Sequence, residues 1–144
     1  MKGKYDVVET ANQTGHFRVF LQALEAVGIK QTLKETGPYT ILAPVDDAFL
    51  KLPKAKLDNL FKKDNREALH LLLSNHIVAG SLPSTALKRH SEIRSMKDEV
   101  LRIESRAGLW VNEAQVITPD LIASNGVIHG IDTVLMHQTQ GAPV

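Results

Sequence analysis

The 144-residue sequence contains no cysteine, which removes disulfide bonds, thiolate metal sites and cysteine nucleophiles from consideration. Aromatic residues make up only 5%, so few rings are available to stack on nucleic-acid bases. The charges nearly cancel: 17 Lys and Arg face 16 Asp and Glu, for a formal charge of +1. A chain so balanced exerts no global attraction on nucleic acid or an anionic membrane. No run approaches the roughly 20 apolar residues that cross a bilayer, and the opening MKGKYD lacks the apolar region of a signal peptide. Glycine-rich phosphate loops, an HExxH metal pair and internal repeats are missing as well. Nucleic-acid partners, membrane insertion, cofactors and metals are therefore not expected.

What is present suits a packed fold. With 43% hydrophobic and 23% charged residues, the chain has the composition of one globular domain long enough to bury a core unaided. A single, monomeric domain over residues 1–137 is expected, with residues 138–144 as a mobile tail lacking any apolar pattern.

Hydrophobic spacing sets the coarse organisation. Val7, Val8 and Ala11 suggest a short first helix, and Phe17, Phe20, Leu21 and Leu24 repeat at helical intervals before Gly28, a left-handed C-cap, and Ile29. The segment YTILA (39–43) reads as a core strand, ended by Pro44, after which Asp46 or Asp47 is placed to cap a new helical turn. Leu57, Leu60 and Phe61 mark a further short helix. Asp64 or Asn65 is then expected to cap a helix carrying Leu69, Leu72, Leu73, His76 and Ile77 on one face, so that His76 points into the core.

From Gly80 onward strands replace helices. Glu92–Met96 is expected at an edge, Val100–Ser105 alternates with Leu101 and Ile103 inward, Ala107-Gly108 turns into 109–112, and 115–118 and 127–136 complete the set, with Pro119 in a loop. Helices first and strands after imply an α+β fold in which N-terminal helices pack on largely antiparallel β-sheets.

Little in the chain advertises chemistry. In NGVIHGIDTVLM (125–136) strand alternation turns His129 with Val127 and Ile131, and Asp132 with Ile128, Gly130 and Val134. The pair thus points apart, against the geometry of a hydrolytic triad. Both residues, like His76, read better as buried polar groups that tie segments together by hydrogen bonds. The lysine-rich stretch KLPKAKLDNLFKK (51–63) reads as a solvated helix face.

Three segments together carry a resemblance. YTILAPVDDAF (39–49), LLLSNHIVAG (71–80) and NGVIHGIDTVLM (125–136) are similar, in order and spacing, to the conserved boxes of the fasciclin (FAS1) domain. The resemblance covers nearly the whole chain. It implies a compact wedge of helices on β-sheets and a non-enzymatic role in cell adhesion or protein interaction. The implied partner is a cell-surface or matrix protein or glycan, and the implied location extracellular, periplasmic or cell-surface, without a signal peptide in this chain. A small-ligand or polysaccharide receptor is the alternative.

The same resemblance makes Asp46, His76, Asn125, Gly126, His129 and Asp132 a structural signature. It also likens TPDLI (118–122) to an acidic partner-binding segment of some members, with Asp120 and Leu121 at the matching positions. Two positions depart from the family pattern: Asn75 stands where tyrosine is usual, and Val45 where threonine is usual.

Overall fold

The computed structural model describes residues 5–29, 31, 33, 38–96, 99–105, 107–112 and 114–135, the side chains of Lys56, Leu60 and Lys63 excepted. Helix α1 (Val7–Thr14) starts where the Asp6 carboxylate accepts the Glu9 N–H at 2.8 Å and stops at left-handed Gly15. It buries Val7, Val8 and Ala11 as the spacing predicts. Helix α2 (Arg18–Ala26) buries Phe20, Ala23 and Leu24, with Phe17 buried at its N-cap. Gly28, with φ of 81°, reverses the chain after it, and Ile29 packs back into the core.

Strand β1 (Tyr39–Pro44) is buried throughout and feeds α3 (Asp46–Leu50). The expected cap is corrected here. Asp46 does not cap its own helix; its carboxylate accepts the Val19 N–H of α2 at 2.9 Å, and its backbone N–H donates to His16 O at 2.9 Å. Helix α4 (Lys54–Leu60) and a 3-10 turn (Lys63–Asn65) lead to α5 (Arg66–Ser74), which buries Leu69, Leu72 and Leu73. No side chain caps α5 at its N-cap: Asn65 donates instead to Asn59 O at 2.7 Å.

Helix α5 ends sooner than its apolar period predicts. Asn75 is its C-cap, and Ile77–Ala79 form strand β2, antiparallel to β1. His76 is buried as expected, but from the junction between helix and strand. A short helix, α6 (Ser84–Leu87), was not anticipated. Then follow β3 (Glu92–Arg94), β4 (Val100–Ser105), β5 (Leu109–Val111), β6 (Ala114–Ala123) and β7 (Gly126–Ile131). Residue 136 and the expected tail, 138–144, lie outside the described residues.

The strands form one mixed sheet in the order β2-β1-β7-β6-β5-β4-β3. Its pairings are antiparallel except between the second and third strands, where β1 and β7 run parallel from Tyr39↔Gly126 to Pro44↔Ile131. Both of these strands are buried along their whole length, as a parallel pair covered on two faces must be. Ile41 and Ile128 face a core shared with α1, α2 and α5, whereas Leu42 and Ile131 face a second core built with β3, β4, β5 and Leu87 of α6. The fold is α+β.

Gly126 is fixed by this pairing. A Cβ there would sit 2.0 Å from the carbonyl oxygen of Tyr39, inside the backbone of the neighbouring strand.

Candidate functional site

The expected loop around Pro119 is strand. β6 runs unbroken from Ala114 to Ala123 and absorbs Pro119 at a bulge, where its register against β7 jumps between Thr118↔Gly130 and Leu121↔Ile128. Asp120 takes the left-handed conformation there, with φ of 59°. It therefore sits at an ordered surface, not in a free connection.

Asp120 faces two ways. Its backbone N–H donates to His129 Nδ1 at 3.1 Å, and its carboxylate accepts from the Ser84 N–H at 2.7 Å and the Ser84 hydroxyl at 2.5 Å. The second contact closes the open N-terminus of α6, whose N-cap, Pro83, has no side-chain acceptor to offer. Desolvation alone would raise the Asp120 pKa, but the Ser84 hydrogen bonds, helped by Lys88, hold it below its ordinary value.

His129 is fully buried beneath the bulge. A backbone amide can only donate and a carbonyl only accept, so the geometry sets its tautomer: Nδ1 accepts from Asp120, and Nε2–H donates to Leu82 O at 2.8 Å. Burial pushes its pKa down, against the Leu82 carbonyl and the Asp120 charge, which raise it. The Leu82 N–H donates in turn to the buried Thr40 hydroxyl at 2.7 Å, which donates to Gly80 O at 2.7 Å. One polar chain thus links β1, the 80–84 segment, β6 and β7.

Ser84, Asp120 and His129 are the residue types of a hydrolase, but their wiring is not. The Ser84 hydroxyl donates to Asp120, and the unprotonated His129 nitrogen, Nδ1, is occupied by the Asp120 N–H while Nε2–H is held by Leu82. Asp132 lies elsewhere, accepting the Gln115 N–H at 2.9 Å and the Thr133 hydroxyl at 3.0 Å, with Lys51 at 4.0 Å. Among the described residues no three His, Asp or Glu side chains converge as a metal site.

The other signature positions also join distant segments. Asn125 accepts the Val7 N–H at 2.8 Å and donates to Leu33 O at 2.6 Å. His76 donates through Nδ1 to Leu72 O at 2.9 Å and accepts the Leu135 N–H on Nε2 at 2.9 Å. Burial lowers its pKa to about 4, against the Leu72 carbonyl, which raises it. Asn75, in the position usual for tyrosine, is buried and accepts the Ser95 hydroxyl at 3.1 Å.

Leu121 is half-buried against the helical core, while Pro119 and Ile122 beside it are exposed. A groove of about 470 Å³ opens next to the bulge, with Ser84, Lys88, Ser105, Gly108, Val116 and Pro119 among its lining residues. Sequence reasoning missed Ser84 and Lys88. The signal available was Pro83-Ser84, a helix start with no local acceptor.

Comparison with known proteins agrees with this architecture. The Fasciclin domain family model matches residues 15–137. The chain is 35% identical over 131 residues to Protein sll1735 of Synechocystis, covering 91% of this chain and 97% of the relative. It is 30% identical to the transforming growth factor-beta-induced protein ig-h3 of Sus scrofa, over 90% of this chain but 19% of that protein. It is 34% identical to the cell surface glycolipoprotein MPB83 of Mycobacterium bovis, over 72% of this chain and 46% of that protein. A FAS1 domain pair from the insect cell adhesion molecule Fasciclin I superposes with a TM-score of 0.83 at 19% identity, covering 94% of this chain and 52% of that one. With the family's pattern matched across most of its length, the chain belongs to the Fasciclin domain family.

Proposed function

We propose that this domain is a non-enzymatic, monomeric adhesion or protein-interaction module that works at the cell surface or outside the cell, with its partner contact at Asp120 and Leu121. The observation that carries the reading is the braced bulge. Asp120 is exposed yet held by Ser84 on one side and His129 on the other, so little entropy is lost when a partner docks. Exposed Pro119 and Ile122 supply apolar area beside the charge, and a charge next to a desolvated anchor suits a small protein contact. The wiring of His129 supports the absence of catalysis, since both ring nitrogens are engaged by backbone. The names of Fasciclin I and MPB83 support a surface role.

Attachment of cells to a surface coated with the domain tests this reading. Wild-type protein is expected to hold cells and the soluble domain to compete. Asp120→Asn combined with Leu121→Ala is expected to abolish attachment while the fold persists. Attachment no better than to albumin would refute the adhesive role. Hydrolysis of an ester, peptide or glycoside, lost in a folded His129→Ala variant, would refute the non-enzymatic one. The groove favours a second reading, a small-ligand or polysaccharide receptor, which predicts glycan binding that survives Asp120→Asn and is lost in Lys88→Gln.

A further inference from the structure

Leu50, the last residue of α3, is 73% exposed, the highest value among the exposed large apolar side chains described. Phe61, the C-cap of α4, is 38% exposed. The chain between and just beyond them is basic. Residues 51–66 hold six Lys and Arg against two Asp, a local balance of +4 in a chain whose total is +1, so the remainder carries −3. Lys54 and Lys62 are exposed, and among the described residues neither enters an ion pair. Lys51 leans toward Thr133 and Asp132, at 3.4 and 4.0 Å, with 55% of its side chain still exposed.

The inward face of this region is already satisfied, because Leu52 and Leu57 pack against the helical core. Leu50 and Phe61 are therefore additional to what the fold needs. A seven-residue helix is about 10 Å long, so Leu50 and Phe61 bracket the corner formed by one short helix that begins with Lys54 and is followed by Lys62.

We infer that this corner docks the domain on an anionic lipid bilayer, lysines over the headgroups and Leu50 and Phe61 in the interfacial layer. Charge excess alone would suit any polyanion. A soluble polyanionic chain, however, gains nothing from a bare leucine, whereas a bilayer interface accepts both the ammonium groups and the apolar tips. No helix among the described residues is long and apolar enough to cross a membrane, and docking of this kind is peripheral.

Flotation of the intact chain with vesicles tests the inference. The wild type is expected to float with mixed phosphatidylglycerol and phosphatidylcholine vesicles, not with phosphatidylcholine alone, and to be released by salt near about 0.5 M. Replacing Lys54→Gln and Lys62→Gln is expected to weaken partitioning roughly fivefold for each lysine. Leu50→Ser with Phe61→Ser is expected to weaken it about tenfold. Met96→Ser with Ile117→Ser, which removes comparably exposed apolar groups elsewhere, should leave partitioning unchanged. Should the Phe61 variant lower the melting temperature, Leu50→Ser alone decides. No flotation of the wild type overturns the inference. So does a Leu50→Ser variant that binds vesicles and heparin as the wild type does, since the corner would then be a plain polyanion site.

Discussion

The Leu135 N–H donates to His76 Nε2 across 2.9 Å while the other nitrogen of that ring donates to Leu72 O, so one buried imidazole ties the end of α5 to the segment after β7. The ring also lies near Phe20 of α2, with centroids 6.0 Å apart. Removing it leaves the Leu135 amide without its partner, the Leu72 carbonyl with the Asn75 N–H alone, and a cavity between them. His76→Ala is expected to cost about 3 kcal/mol, read as a shift in the urea midpoint. A loss below about 1 kcal/mol would show that the ring is dispensable.

The same residue makes stability pH-dependent. Its pKa is about 4 in the fold against 6.5 as the ordinary value, so between these limits the unfolded chain binds more protons than the folded one. Stability then rises with pH in that window and is lost as pH falls through it. His129, whose pKa is also lowered, acts in the same sense. A loss on the order of 2 to 3 kcal/mol is expected between pH 7 and 4.5. Urea titrations at several pH values check it, and the slope should fall in His76→Ala to the part that His129 supplies.

Gly126→Ala should be far worse than its size suggests. The new methyl would collide with Tyr39 O, and β7 would have to part from β1. A loss exceeding about 3 kcal/mol, or failure to fold, is expected. Gly80→Ala is the contrast: φ there is 97° but the space is open, and about 1 kcal/mol is expected. Thermal melts of the two variants side by side decide the point.

Asp120 has a structural duty beside the proposed contact. Asp120→Ala uncaps α6, at a cost of about 1 kcal/mol, more than an idle surface residue would show. Amide exchange should quicken at Ser84 and the residues after it. A double-mutant cycle with Ser84→Ala should give a coupling of about 1 kcal/mol, and additivity would deny the latch.

The helical faces and β4, with Leu101 and Ile103 inward, were legible because their signals are local. The failures have physical causes too. The helical pattern runs on into β2 because His76 and Ile77 continue the α5 period for two more places, too short a span for helix and strand phases to separate. Pro119 signals a loop in the sequence because proline breaks a strand except at a bulge, and a bulge is defined by the partner strand. Of the side chains that hold distant backbone amides, the sequence marks only Asp46 as a cap, and it does not show the contact. Asp46 meets Val19, Asn125 meets Val7 and Asp120 meets Ser84, at separations of 27, 118 and 36 residues, whereas the rules that locate caps look only three residues ahead.

The parallel pairing of β1 with β7 also sets the order of events as the protein is made. β1 can meet β2 early, but its other edge stays open until residues 126–131 arrive to fill the place between β1 and β6. Contacts so distant in sequence make for slow folding. During synthesis the nascent chain therefore carries an unclosed β1 edge until β7 has left the ribosome, and a chain cut before Gly126 would be a substrate for chaperones and proteases.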